Sequence, residues 1–253
     1  MSSFIKQRAD APAAFFEAEA AGLAWLSRAQ AGVRVASVIR TEPGLIELDR
    51  IPEVRPTIDA ASAFGAALAH THAAGALAFG ARPDGWAGPL FIGSREMPAA
   101  NETSWGAFYA RNRVLPFLEV ALTVGNVAPA HDDEIRAACE LVASGAFDDA
   151  DAPSRIHGDL WAGNVLWSPD GVVLIDPAAH GGHRETDLAM LALFGCPYLD
   201  EVIAGYETVS PLRAGWRDRV GLHQLHPLAV HAAGHGPGYG VALWRAAQSV
   251  LNL

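Results

Sequence analysis

The sequence predicts an α+β protein in two lobes: a small N-terminal lobe of strands around one helix, residues 1–52, and a larger, mainly helical lobe, residues 53–253. Three observations predict it. Residues 33–40 and 44–51 are rich in β-branched side chains and flank Glu42-Pro43-Gly44, the turn chemistry that closes a hairpin. From about Ile58 onward most segments repeat their apolar residues at helical spacing, with breaks at Cys196-Pro197, Ser210-Pro211 and the Gly-rich stretch 235–240. Between them, two short apolar runs are joined by Ser168-Pro169-Asp170-Gly171, a second hairpin turn.

Taken in order, Phe4-Ile5-Lys6 reads as the end of a strand, and Pro12 to Arg28 as a helix with proline at its start. At helical spacing Phe15, Phe16, Glu19, Leu23 and Leu26 fall in one sector about 100° wide, with Glu17 and Arg28 on the other side. Glu19 therefore points toward the core. A carboxylate in an apolar stripe is costly unless a cation meets it, and Lys6 on the preceding strand is the candidate partner. A helix follows from about Ile58 to His72. Residues 75–103 hold many Gly, Pro and polar turn formers and read as a long surface loop, while Trp105 to Leu122 and Asp132 to Ser144 read as helices.

The chain of 253 residues is 51% hydrophobic, enough for a large core. Its formal net charge of -10 argues against nucleic acid or an anionic membrane surface as the main partner, since both need a basic face. Two cysteines, Cys139 and Cys196, lie outside any CxxC spacing, which points away from a disulfide framework and toward a reducing cytoplasm. Neither a signal peptide nor a membrane-spanning run is expected.

The chemistry concentrates in His157-Gly158-Asp159-Leu160-Trp161-Ala162-Gly163-Asn164, followed after the hairpin by Ile175-Asp176-Pro177. An Asp, an Asn five residues on and a second Asp after the next strands match the spacing of a base and two magnesium ligands in a phosphoryl-transfer centre. Asn164 and Asp176 would hold Mg²⁺ through oxygen, and Asp159 would take the proton of a substrate hydroxyl. Taken singly, each triplet could be an ordinary turn or strand terminator; the joint order carries the reading. In such an enzyme a strand Lys reaches the nucleotide phosphates and a helix Glu holds it, the roles open to Lys6 and Glu19. An adenine ring would bond backbone groups of the connection between lobes, here expected at Glu47, Leu48 and Asp49.

These motifs, with Gly182-His183-Arg184-Glu185-Thr186-Asp187-Leu188-Ala189-Met190, resemble the fructosamine kinase family among the aminoglycoside-phosphotransferase-like, protein-kinase-like enzymes. The similarity extends to Phe16–Leu23, Trp105–Tyr109, Leu193-Phe194-Gly195, Tyr206, Gly215-Trp216, His231 and Gly238-Tyr239, so it covers nearly the whole chain. It implies a bilobal fold and ATP- and Mg²⁺-dependent phosphorylation of a sugar hydroxyl in a ketosamine, a small sugar-amine adduct either free or protein-bound, which destabilises the adduct. By position it implies Asp159 as base, Asn164 and Asp176 as metal ligands, Lys6 as the phosphate-contacting lysine and Glu19 as its partner. Asp187 would brace the catalytic loop beside His157, and Trp161 and His231 would wall the sugar pocket, with core packing as the plainer role for both. Two rivals stand beside this reading: an aminoglycoside- or choline-type phosphotransferase, and a catalytically weak nucleotide- or sugar-binding protein.

One departure bears on activity. Family members carry two strands and a Gly-containing phosphate-covering turn before the strand lysine, whereas five residues precede Lys6. The N-terminal lobe is accordingly expected to be truncated, with an unprotected sheet edge and weak turnover. The histidines at 223, 226, 231 and 235 stand at helical spacing but without a neighbouring carboxylate or thiolate motif, and read as packing and surface groups rather than a zinc site.

Overall fold

The computed structural model describes residues 2–253. Strand β1 (Ser3–Gln7) leads to helix α1 (Phe15–Leu26) and then to β2 (Arg34–Val35), β3 (Val38–Glu42) and β4 (Leu45–Asp49). β4 is the centre of an antiparallel sheet ordered β1-β4-β3, with Lys6 opposite Ile46 and Glu42 opposite Leu45 across the Pro43-Gly44 turn. Gly44 has a φ of 77°, a conformation glycine adopts without the Cβ penalty, which explains the tight reversal. The apolar stripe of α1 covers this sheet: Phe16 and Leu23 pack with Ile46 and Leu48.

The predicted strand 33–40 is in fact broken. Arg34–Val35 pairs in parallel with a strand of the larger part of the molecule, and only residues from Val38 join the hairpin. Pattern alone could not show this, because β-branched residues mark a strand without naming its sheet.

Helix α2 (Ile58–Ala73) starts where Thr57 accepts a hydrogen bond from the Ala60 amide, 3.2 Å. Strands β5 (Leu90–Ile92) and β6 (Arg95–Met97) form a hairpin within the segment expected to be a surface loop. That expectation is corrected: Phe79, Leu90, Ile92 and Met97 are buried against Phe108 and Phe117 in the main core. The apolar residues stand singly among turn formers, so no period betrays them. Helices α3 (Trp105–Phe108) and α4 (Leu115–Thr123) continue into each other through a π-helical turn, Tyr109–Val114, and α5 (Pro129–Ala143) returns beside them.

Strand β7 (Ser154–Ile156) enters the loop 157–164, a 3₁₀ turn at Ala162–Asn164 leaves it, and the hairpin of β8 (Val165–Ser168) and β9 (Gly171–Leu174) closes at the predicted 168–171 turn. β9 also receives β2, and β10 (His180–Gly182) pairs back onto β7. Four helices complete the chain: α6 (Arg184–Phe194), α7 (Leu199–Val209), α8 (Val220–His235) and α9 (Pro237–Leu251). Among the described residues no helix is long and apolar enough to cross a membrane, and both cysteines are free thiols.

Helices α2 and α7 meet backbone to backbone through two glycines. A Cβ on Gly65 would lie 1.8 Å from the Val202 carbonyl oxygen, and one on Gly205 would lie 2.0 Å from that of Ser62. Since α2 carries His72 and thereby supports the site, this close approach sets the depth of the frame. The Gly205→Ala variant is expected to lose about 1–3 kcal/mol of stability, as overpacking does in a close-packed interior, measured by denaturant unfolding.

Candidate active site

One cleft of about 390 Å³ is lined by Lys6, Glu19, Asp159, Trp161, Asn164 and Asp176, with Phe15 and Phe16 of α1 and Leu90, Phe91 and Gly93 of the β5–β6 hairpin. Residues from five separate stretches of sequence therefore face one space. The ion pair read from the periodicity of α1 is present: Lys6 Nζ donates to Glu19 Oε1 at 2.6 Å and also contacts Asp176. Burial pushes the Glu19 carboxyl above the usual range; Lys6 opposes that shift and the Asp176 charge adds to it.

The loop 157–164 is held from behind. Asp187, the fourth residue of α6, accepts the His157 amide at 2.7 Å and the Gly158 amide at 2.9 Å. His72 of α2 lies 3.1 Å from the same carboxylate through Nε2, while its Nδ1 is 2.9 Å from the Tyr206 hydroxyl. Burial works against the Asp187 charge, but these donors hold its carboxyl below the usual value. The His157 ring lies 2.9 Å from the Ile175 carbonyl through Nε2, and its Nδ1 accepts the Asp159 amide at 3.3 Å. It thus joins the loop of Asp159 to the segment that runs from β9 to Asp176. Burial keeps that imidazole below its ordinary pKa, so the neutral ring with a proton on Nε2 satisfies both bonds.

Asn164 donates its amide nitrogen to the Asp159 carbonyl at 2.8 Å and to the carboxylate at 3.3 Å. No donor among the described residues claims its Oδ1, which leaves a carboxamide oxygen and the Asp176 carboxylate on the same cleft. Two such oxygens suit a hard divalent cation, so the residues present fit Mg²⁺. Asp176 itself has a φ of 55°, a left-handed conformation that costs energy for a side chain other than glycine and recurs at functional loops. Burial raises the Asp159 carboxyl to about 6; Asn164 lowers it, and the nearby charges of Asp176 and Asp187 raise it further.

Other expected contacts fall elsewhere. Glu47 and Leu48 lie inside the central strand β4 with both edges paired; Leu48 is buried under α1 and Glu47 binds Arg40 at 2.6 Å. Asp49 pairs opposite Ser3 and donates its amide to the Ser37 carbonyl, so none of the three lines the cleft. Trp161 lines the cleft and is 42% exposed. His231 is separated from it by Phe194, whose ring lies 6.4 Å from Trp161 and 4.6 Å from His231. Of the other histidines, His223 meets Glu185 and Thr186, His226 lies 2.8 Å from the Arg113 carbonyl, and His235 stacks near His231. His72 and the hairpin 90–97 escaped sequence reasoning; the one available signal was a histidine on the buried face of α2.

A family model described as fructosamine kinase matches residues 1–252. The chain belongs to the fructosamine kinase family. A probable ketoamine kinase of Enterococcus faecium is 32% identical over 241 residues, covering 94% of this chain and 83% of that protein. The crystal structure of a candidate fructosamine-3-kinase from Thermobifida fusca superposes with a TM-score of 0.92 at 44% identity, over 99% of this chain and 86% of the other. A choline/ethanolamine kinase family protein from Mesorhizobium loti, at 15% identity and a TM-score of 0.57 over 94% of this chain and 79% of that one, shares the fold alone. The bilobal kinase fold expected from the sequence is therefore the fold of this family member, and the protein is a phosphotransferase by membership.

Asp187→Asn leaves one loop amide facing an NH₂ group. It is expected to cost about 1–3 kcal/mol of stability, the penalty of an unsatisfied buried donor. Since the Asp187 carboxyl is depressed below 3.8, its stabilisation is present above that pH and lost as acid protonates it. The variant's unfolding free energy should accordingly depend less on pH in that acid range, measured by urea titrations.

Proposed function

We propose that this protein transfers the γ-phosphoryl group of ATP to a sugar hydroxyl of a ketosamine, the fructosamine class of sugar-amine adducts. The observation that carries this reading is the convergence of Asp159, Asn164, Asp176 and the Lys6–Glu19 pair on one cleft, in a chain of the fructosamine kinase family. Relatives named as ketoamine kinases support the choice of acceptor.

Each residue has a task its surroundings suit. Lys6, held by Glu19, offers an ammonium to the triphosphate. Asn164 and Asp176 would hold Mg²⁺, which when bound neutralises charge on the phosphates. Asp159, steered by Asn164, accepts the proton of the attacking hydroxyl while that oxygen bonds to phosphorus and the bond to the ADP oxygen breaks. With a carboxyl near 6, Asp159 is ionised and basic at neutral pH. Trp161, exposed at the mouth, presents an aromatic face of the kind that packs against the C–H side of a sugar ring.

Incubation with ATP, Mg²⁺ and fructoselysine should yield ADP and the sugar phosphate, detected by mass spectrometry, in preference to an aminoglycoside or choline. Preference for either of those would overturn the acceptor assignment. Asp159→Asn is expected to lower kcat by about 10²–10⁴-fold. In the wild type, kcat/KM should fall about tenfold per unit as pH drops below about 6, because the protonated carboxyl cannot accept a proton; a flat profile between pH 5 and 7 would remove Asp159 from that role.

A further inference from the structure

Arg113 is 1% exposed and has no carboxylate partner among the described residues. A buried guanidinium without a counterion is costly, and burial lowers its pKa to about 9. It sits in the π-helical turn 109–114, an element found often where function requires an irregular helix. Besides a bond from Nη1 to the neighbouring Asn112 carbonyl at 2.9 Å, its bonds go to two places. Nη1 donates at 2.6 Å to the carbonyl of Pro98, directly after the β5–β6 hairpin that walls the cleft. Nε donates at 3.2 Å to His180 Nε2, and the ring of Phe108 lies 4.6 Å beneath the guanidinium.

His180 passes that contact to the active site. Its Nδ1 lies 2.7 Å from the carbonyl oxygen of Ala178, two residues beyond Asp176 and itself a cleft residue. Because Arg113 can only donate, His180 Nε2 must accept, so the ring proton is on Nδ1 and points at Ala178. The same carbonyl and ring form the floor under Gly158: a Cβ there would lie 2.3 Å from Ala178 O and 3.1 Å from His180 Cε1. Gly158 has a φ of 80°, so the loop of Asp159 rests directly on the loop of Asp176 at this point.

We propose that Arg113 and His180 are positioning residues for phosphoryl transfer, fixing the Asp176 loop against both the Asp159 loop and the hairpin wall of the cleft. The inference rests on the kinase reading above and adds residues that touch neither nucleotide nor acceptor. Without Arg113 the His180 ring loses the donor that fixes its tautomer, and the Ala178 carbonyl loses its fixed partner. Asp176 then samples positions unsuited to sharing a cation with Asn164. The purely structural alternative is that Arg113 merely fills the core between α4 and α8.

The two are separated by measuring Mg²⁺ affinity directly, by calorimetry at saturating ADP, beside steady-state kinetics and thermal melts of Arg113→Met, His180→Phe and His180→Asn. His180→Asn keeps a donor where Nδ1 stood and should retain most of the Mg²⁺ affinity. His180→Phe and Arg113→Met should weaken it by about 10-fold or more, the usual effect of removing a group that orients a metal ligand, with a matching fall in kcat and an unchanged KM for the acceptor. Folded variants that bind Mg²⁺ like the wild type, or an Asn variant as impaired as the Phe variant, would overturn the proposal. Failure of the wild type to phosphorylate any acceptor would instead count against the kinase reading, since the Mg²⁺ titration does not depend on turnover.

Discussion

A single carboxylate, Asp187, organises the site. It is 1% exposed and meets no lysine or arginine among the described residues, so its charge persists because the amides of His157 and Gly158 and the His72 ring surround it. Those two amides begin the loop that carries Asp159 and Asn164. The position of Asp159 therefore follows from where α6 places one side chain, and α6 is placed by its packing against α8 and by the strands before it. His157 extends the same network to Ile175 just past β9, so Asp159 and the second acidic loop are referenced to one frame rather than to each other alone.

Around that frame the cleft gathers more negative than positive charge. Glu19, Asp159 and Asp176 share it with Lys6; burial raises the Glu19 and Asp159 carboxyls, and the Asp176 charge adds to both shifts. Such a cluster is unfavourable in isolation and favourable toward a cation. The left-handed backbone of Asp176 is a further local cost that the surrounding hydrogen bonds sustain.

Much of this was legible in residue order. The spacing from Asp159 to Asn164 to Asp176 is local, set by one short loop and one hairpin, and both turns form where Pro-Gly and Ser-Pro-Asp-Gly predict them. Helix periodicity placed Glu19 inward and so found Lys6. Glu47 to Asp49 lie in a strand paired on both edges and off the cleft, because which neighbours pair with a strand is a matter of tertiary context. The buried hairpin at 90–97 failed for a related reason: its apolar residues are too widely spaced to show a period, and their burial depends on helices far along the chain.

The sequence by itself determined the chemistry available, namely a carboxylate beside a carboxamide, a second carboxylate that with that carboxamide suits a hard cation, and a lysine with a glutamate to hold it. These are properties of side chains and short-range spacing, which the covalent chain fixes. Tertiary structure alone decided what stands behind them: His72 and Tyr206 on Asp187, Arg113 and His180 on Ala178, and Phe91 across from Phe15. Those partners lie far apart in the chain and meet because packing of whole elements brings them together, a constraint that no local pattern encodes.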